Sequence, residues 1–231
     1  MKIILTAGGT SERIDDVRSI TNTSTGRLGH AIGEQFLKAC GEELETLYYL
    51  HGLRAVPVEG PNVTPVPIEG VRDLEAELKR ILTEEKIDAV VHAMAVSDYM
   101  VKEVTTLEKI KSGDSSRLEG NKISSSIEDL TIIMQRSPKV ISGIKKWSPD
   151  TVLVGFKLLS HVPHEELIQV GQALLQKNDC TFVLANDLAE IGGGRHRGYL
   201  IHRDGSYDTM ETNEEIAEKI VQRVRQEGGK Q

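Results

Sequence analysis

Asn22-Thr23-Ser24-Thr25-Gly26-Arg27-Leu28-Gly29 decides the fold class through what stands on either side of it. Before it, the apolar run Lys2 to Thr6 enters Ala7-Gly8-Gly9-Thr10, as a buried first strand feeding a glycine turn would read. After it, Leu28, Ile32, Phe36 and Ala39 recur at helical spacing, with Gly41 just past the predicted end. A strand, a polar loop and a helix in that order open an α/β domain. Loops of this kind bind anions because glycine lets the backbone approach closely and the helix N-terminus presents unpaired N–H groups.

The loop is not a dinucleotide fingerprint. That motif needs G-x-G-x-x-G at the turn and an acidic residue about 20 residues on for the ribose. Here the turn reads Gly8-Gly9-Thr10-Ser11-Glu12-Arg13, and the second strand ends Leu50-His51-Gly52 without a carboxylate. The G-x-x-x-x-G-K-[ST] phosphate loop is absent as well.

With 231 residues, 39% hydrophobic and 27% charged, the chain reads as one α/β domain over residues 1–231 with a substantial core. No stretch approaches a transmembrane span and the N-terminus lacks a signal-peptide pattern, so a cytoplasmic location away from membranes is expected. A formal charge of −7 argues against nucleic acid as a partner but leaves room for small anions in a local basic pocket. Cys40 and Cys180 end apolar segments outside any C-x-x-C pair and read as buried thiols. Seven histidines show no metal-ligand spacing, since His161 and His164 are split by Pro163 at a predicted helix start.

Further strands are predicted at Leu44–Leu50, Val63–Ile68, Asp88–Ala93, Leu130–Gln135, Thr151–Phe156 and Cys180–Leu184. Prolines place the Val63 strand near a sheet edge. A helix carries Val71, Leu74, Leu78, Ile81 and Leu82 on one face, another starts at Ser137-Pro138, and a third spans Pro163–Lys177 with Leu167, Val170 and Leu174 inward. The alternation implies parallel βαβ units: a Rossmann-like, mostly parallel sheet with helices on both faces. Arg203-Asp204-Gly205-Ser206 marks a late antiparallel hairpin, and Asn213 is the predicted cap of a last helix whose tail, 226–231, frays. Lys102 to Ser126 keeps no sustained period and is too long for a routine connection, so it reads as a mobile flap, and Gly192 to Arg197 as a flexible loop.

Three polar constellations fall at predicted carboxyl ends of strands, where open α/β sheets place ligands. They are Gly8 through Gly29, Ala93-Met94-Ala95-Val96-Ser97-Asp98-Tyr99, and Gly155-Phe156-Lys157 with Ala185-Asn186-Asp187 beside it. Asn121-Lys122-Ile123-Ser124-Ser125 on the flap would close over them. At these residues almost the whole chain resembles the phosphopantothenate–cysteine ligases of coenzyme A synthesis. The resemblance rests on Thr6 to Thr10, Ile20 to Gly29, Ala95 to Tyr99, Lys122-Ile123, Gly155-Phe156 and Ala185 to Asp187, all in the family's order.

The resemblance implies a free-standing ligase of the bacterial kind whose flavin-dependent decarboxylase is a separate chain. It implies that 4′-phosphopantothenate is activated by CTP, with Mg²⁺, to an acyl-cytidylate that L-cysteine then attacks, in a homodimer with flap and site near the interface. Asn22 would orient the carboxylate and stabilise the tetrahedral oxyanion, against the alternative of an Asx-turn asparagine. Lys122 would approach the triphosphate; Ser124 and Ser125 depart from the lysines that many relatives carry there. Arg18, Ser24, Thr25 and Gly26 are the candidates for substrate phosphate, and Gly8, Gly9, Met94, Ala95, Asp98, Phe156 and Asn186 for the nucleotide, Asp98 being also a candidate Mg²⁺ ligand. Lys157 replaces an alanine common in CTP users and matches a run found in ATP-preferring eukaryotic relatives, so ATP stays open. Two other classes compete: an NAD(P)-dependent Rossmann reductase, for which Tyr99 lacks a lysine four residues on because Glu103 stands there, and a non-catalytic nucleotide sensor.

Overall fold

A computed structural model describes residues 1–228 except 115, 117 and 119. In chain order the strands are β1 (Lys2–Ala7), β2 (Ser11–Arg13), β3 (Ser19–Thr21), β4 (Thr46–Gly52), β5 (Val63–Ile68), β6 (Ala89–His92), β7 (Tyr99–Thr106), β8 (Leu130–Arg136), β9 (Val152–Leu159), β10 (Phe182–Asp187), β11 (Ile191–Gly192), β12 (Arg195–His196), β13 (Gly198–His202) and β14 (Tyr207–Met210). The α-helices are α1 (Arg27–Cys40), α2 (Val71–Glu84), α3 (Leu107–Ser112), α4 (Ile141–Trp147), α5 (His164–Lys177) and α6 (Asn213–Gly228).

Eight strands form the central sheet in the order β14-β13-β10-β9-β6-β1-β4-β5. From β10 to β5 every pair is parallel; β13 and β14 add the antiparallel edge. The parallel part has the strand order of a dinucleotide fold, so the chain reverses direction of travel between β1 and β6 and opens a crevice at their carboxyl ends. The proline-bearing β5 takes the outer edge, where missing N–H donors leave no ladder gap. Alternate residues of the buried strands feed two cores. Ile3, Leu5, Val91 and Val154 pack with Ile32 and Phe36 of α1 and Ile220 of α6 on one face. Ile4, Val90, Leu153 and Val183 pack with Leu74 and Leu78 of α2 and Leu167 of α5 on the other.

Two buried polar side chains, Thr6 and His92, pair where β1 and β6 end. His92, 7% exposed at the end of β6, meets Thr6 Oγ1 through Nδ1 at 3.0 Å, and Thr6 Oγ1 accepts Met94 N–H at 3.0 Å. Burial lowers the imidazole pKa from 6.5 to about 4. The folded value lies below the unfolded one, so the stability His92 contributes is present above pH 6.5 and is lost as pH falls through about 4. The loss between pH 7 and pH 4 amounts to about 3 kcal/mol. Urea unfolding across that range should show a wild-type stability that falls more steeply than that of His92→Gln; equal slopes would remove His92 from the acid response.

Several local expectations are corrected. Part of the segment predicted as a mobile flap is regular: its first residues belong to β7, which pairs antiparallel with β8 from Tyr99↔Arg136 to Thr106↔Leu130, and α3 follows β7 with Thr106 as its cap. A register shift between Val101 and Glu103 breaks the alternation that would have marked β7 as a strand. Residues 115, 117 and 119 of the predicted flap lie outside the described residues. Gly192 to Arg197 is a short β11–β12 hairpin, with Arg195 and Arg197 paired to Glu211 and Arg197 also to Glu190. Ser137 caps nothing, since its Oγ is buried without a partner and α4 starts at Ile141. The last helix is capped by Thr212, which accepts Glu215 N–H, rather than by Asn213. In α5 the buried residues are Leu167, Ile168, Gly171 and Leu175, so Val170 and Leu174 stand at the flanks of its inward face.

Candidate active site at the switch point

The crevice between β1 and β6 is closed at its base by direct pairing of the two loops that leave those strands. Ala95 N–H donates to Gly8 O at 2.8 Å, and Ala95 O accepts Thr10 N–H at 3.1 Å. Thr10, fully buried, accepts Ser97 N–H at 2.9 Å and donates through Oγ1 to Ser97 Oγ at 3.0 Å. Asn22, whose N–H reaches Thr10 O at 3.2 Å, sends Nδ2 to Ala95 O at 2.8 Å and to Ser97 Oγ at 3.2 Å. The first and second constellations of the sequence are therefore one hydrogen-bonded unit. Both hydrogens of the Asn22 amide are committed inside it, so in the resting chain that amide joins the loops.

Glycine is required where these loops cross. Gly8 and Gly26 hold positive φ of 80° and 68°, and a Cβ on Gly26 would sit 2.9 Å from Gly8 N. A Cβ on Gly9 would lie 2.8 Å from Cβ of Asn22. Gly8, Gly9 and Gly26 are accounted for by backbone packed on backbone before any phosphate is considered. Just beyond, the first N–H groups of α1 face a loop in which Ser24 Oγ accepts Gly26 N–H at 3.4 Å, and Thr23, Thr25 and Arg27 are exposed. A 14-residue helix opening on glycine and hydroxyl side chains provides the electrostatics of an anion site.

A second unit rises from the same turn. β2 and β3 form a hairpin whose tip, Ile14 to Arg18, carries Asp15 with a side chain 1% exposed. Asp15 accepts the N–H groups of Val17 and Arg18 through Oδ1 and the guanidinium of Arg18 through Oδ2. The ion pair and these N–H donors hold its carboxyl well below the ordinary carboxylate range. Arg18 Nη2 also donates to Ile123 O at 2.8 Å, so the guanidinium predicted to take phosphate is engaged within the chain. Lys122 itself is exposed.

The third constellation is placed along the same sheet edge by β9 and β10, with Lys157 opposite Ala185 and Leu158 opposite Asn186. Phe156 is half-buried against the first core. Asn186, 6% exposed, bonds His196 Nε2 through Nδ2 at 2.8 Å, which leaves the ring proton on Nδ1. Asp187 accepts three backbone N–H groups, from His161, Val162 and Ala189, and is held below its ordinary pKa by them. It clamps loops. The N–H groups of Met94 and Ala95 are likewise spent on Thr6 and Gly8 rather than offered to a ligand. Asp98 is 70% exposed and ion-paired with Lys139.

Sequence reading passed over Thr10, Ser97 and Asp15. The signal for Thr10 and Ser97 is a hydroxyl at the end of each of two small-residue turns, Gly8-Gly9-Thr10 and Ala95-Val96-Ser97. Asp15 gave none, because an aspartate in a polar stretch is ordinary until its burial is seen.

These features define an open α/β domain with a crevice at its switch point whose two flanking loops are tied together in advance. The chain belongs to the DNA/pantothenate metabolism flavoprotein C-terminal domain family, whose model matches residues 1–227. It is 31% identical over 95% of its length to the coenzyme A biosynthesis bifunctional protein CoaBC of Thermococcus kodakarensis, covering 49% of that protein, and 28% identical over 97% to that of Methanocaldococcus jannaschii, covering 50%. The chain thus spans about half the length of the curated relatives it matches. The crystal structure of the DNA/pantothenate metabolism flavoprotein from Streptococcus pneumoniae superposes with a TM-score of 0.87 at 36% identity, covering 98% of this chain and 99% of that one. A Cab2 mutant solved in complex with phosphopantothenate-cysteine shares the fold, with a TM-score of 0.73 at 18% identity over 99% of this chain and 86% of that one.

Proposed function

We propose that this chain is a phosphopantothenate–cysteine ligase that activates the carboxylate of 4′-phosphopantothenate with CTP and transfers the acyl group to the amine of L-cysteine. The observation that carries the reading is the fused wall of Gly8 to Thr10, Asn22 and Ala95 to Ser97, with Asn121 and Ile123, the neighbours of Lys122, fastened to the hairpin that rises from the same turn. Family membership and the coenzyme A names of the relatives support it, as does the ligand of the Cab2 complex.

A carboxylate needs activation because oxide is a poor leaving group. In the first step its oxygen bonds to the α-phosphorus, the bond to the β-phosphate oxygen breaks, and pyrophosphate leaves. In the second the cysteine nitrogen bonds to the acyl carbon, the carbon–oxygen bond to the nucleotide breaks, and CMP leaves as the nitrogen sheds a proton. Positioning and charge stabilisation supply catalysis for both steps. In this reading the N-terminal N–H groups of α1 with Ser24 and Thr25 receive the substrate's anionic end, Lys122 meets the triphosphate, and Phe156 flanks the base.

Mg²⁺ enters with the triphosphate as part of the substrate. Among the described residues no group of three or more His, Cys, Asp or Glu gathers to hold a metal, and Asp98 is paired with Lys139. Among the described residues no helix is long and apolar enough to cross a membrane, in keeping with a proposed cytoplasmic enzyme.

The proposed unit is a homodimer. Val17, Ile20, Tyr99 and Met134 remain 64%, 36%, 51% and 37% exposed on the β2–β3 and β7–β8 ribbons, which lie against each other, and a second copy would cover them. Light scattering at micromolar concentration should give twice the chain mass of 25.5 kDa, and Tyr99→Lys should halve it; a monomeric wild type would defeat the dimer.

The deciding experiment is incubation with 4′-phosphopantothenate and Mg²⁺, with and without L-cysteine, across CTP, ATP, GTP and UTP, reading pyrophosphate and coupled product. Product with CTP preferred supports the reading in full. Preference for ATP keeps the ligase and overturns the nucleotide, and no substrate-dependent pyrophosphate from folded protein overturns the ligase.

A further inference from the structure

The peptide groups on both sides of Lys122 are tied to the tip of the β2–β3 hairpin. Asp16 N–H donates to Asn121 O at 3.0 Å. Ile123 N–H donates to Asp15 Oδ2 at 3.1 Å, while Ile123 O accepts Arg18 Nη2 at 2.8 Å. Asp15 and Arg18 thus grip the N–H and the C=O of one residue and are ion-paired to each other. Ile123 is 5% exposed, its side chain seated as a plug, whereas Lys122 beside it is exposed. Three hydrogen bonds and one buried apolar side chain fix the backbone, and the only residue of the triplet flanked on both sides by an anchor is the lysine.

We propose that Asp15 is a positioning residue: with Arg18 it forms a latch that holds the Asn121–Ile123 segment so that Lys122 is presented at a fixed place beside the glycine turn. The proposal deepens the ligase reading and rests on it for the role of Lys122. A carboxylate suits the task because one oxygen takes the loop's own N–H groups and the other takes both the guanidinium and the Ile123 N–H, a four-way acceptance that an amide cannot match. Burial strengthens the arrangement, since water competes poorly for a carboxylate whose side chain is 1% exposed. The hairpin follows Thr10 directly and returns to Asn22, so the latch registers the lysine against the same residues that close the crevice. A lysine held in this way needs less ordering when the triphosphate arrives than one on a free loop.

The test has a structural arm and a catalytic arm. By hydrogen exchange, the Ile123 amide, which Asp15 holds, should exchange at least about tenfold faster in Asp15→Asn than in wild type, with the central-sheet amides unchanged. Unchanged protection at Ile123 overturns the latch, whether or not the chain is a ligase. In the catalytic arm, Asp15→Asn should cut substrate-dependent pyrophosphate release by roughly 10- to 100-fold, mostly in kcat, and should cut nothing further in a Lys122→Ala background. Additive losses would mean that Asp15 acts on something other than Lys122 and would overturn the positioning role. If Asp15→Asn fails to fold, Arg18→Lys keeps the charge, loses the fork geometry and should reproduce the faster exchange and the non-additivity; wild-type values from it would sink the proposal. A wild type without pyrophosphate release alongside a positive exchange result would retire the ligase reading and leave the latch standing.

Discussion

Asn22→Asp is expected to leave the chain folded and to slow amide formation by about 10²–10³-fold, because it sets a negative charge where the oxyanion of amide formation must be stabilised. The carboxamide donates both hydrogens, to Ala95 O and to Ser97 Oγ. In the variant an oxygen replaces that donor opposite the Ala95 carbonyl, and the two repel. Ala95 O keeps its hydrogen bond from Thr10 N–H and is not orphaned, so the stability loss should stay near about 1 kcal/mol. Ser97 Oγ accepts from Thr10 Oγ1, so its own proton can turn to the new carboxylate and offset part of the loss. The larger effect is electrostatic: a negative charge is set in the crevice where an acyl-nucleotide must sit and where an oxyanion must form.

The discriminating measurement is single turnover from pre-formed acyl-nucleotide, following the appearance of the cysteine amide. Pyrophosphate released in one burst without amide would place the block after activation. Amide formation at the wild-type rate would remove Asn22 from chemistry and leave it as a tie between two loops.

Legibility in the sequence followed the physics that each feature rests on. Buried parallel strands read as apolar runs, so β1, β6 and β9 stand where Lys2–Thr6, Asp88–Ala93 and Thr151–Phe156 predicted them, to within a few terminal residues. The ribbon β7–β8 was half hidden, because it leaves the sheet and its alternation is broken at Val101 and Glu103, where lysine and glutamate resemble loop composition. Constellations at strand ends were legible as a set, since strand order brings carboxyl ends together whatever the side chains do. Their internal wiring was not. Whether the Asn22 amide faces a ligand or Ala95 O, and whether the Arg18 guanidinium faces a phosphate or Asp15, depends on loop paths that adjacent residues do not determine.

Lys122→Ala should abolish most of the first half-reaction, lowering substrate-dependent pyrophosphate release by about 10²–10³-fold. The side chain is exposed, so truncation should shift stability by no more than about 0.5 kcal/mol. An ammonium next to a transferring phosphoryl group stabilises charge that grows as the bond to pyrophosphate breaks, an effect larger in the transition state than in the bound nucleotide. The loss should therefore fall mainly on kcat, with a smaller rise in KM for the nucleotide. Lys122→Arg keeps the charge but spreads it over a planar fork, and should recover part of the rate. The two variants also separate the half-reactions. Lys122→Ala supplied with synthetic acyl-nucleotide should still form amide, whereas Asn22→Asp supplied with it should not. If Lys122→Ala also fails from the acyl-nucleotide, the lysine serves binding of the nucleotide moiety through both steps, and its assignment to activation alone is wrong.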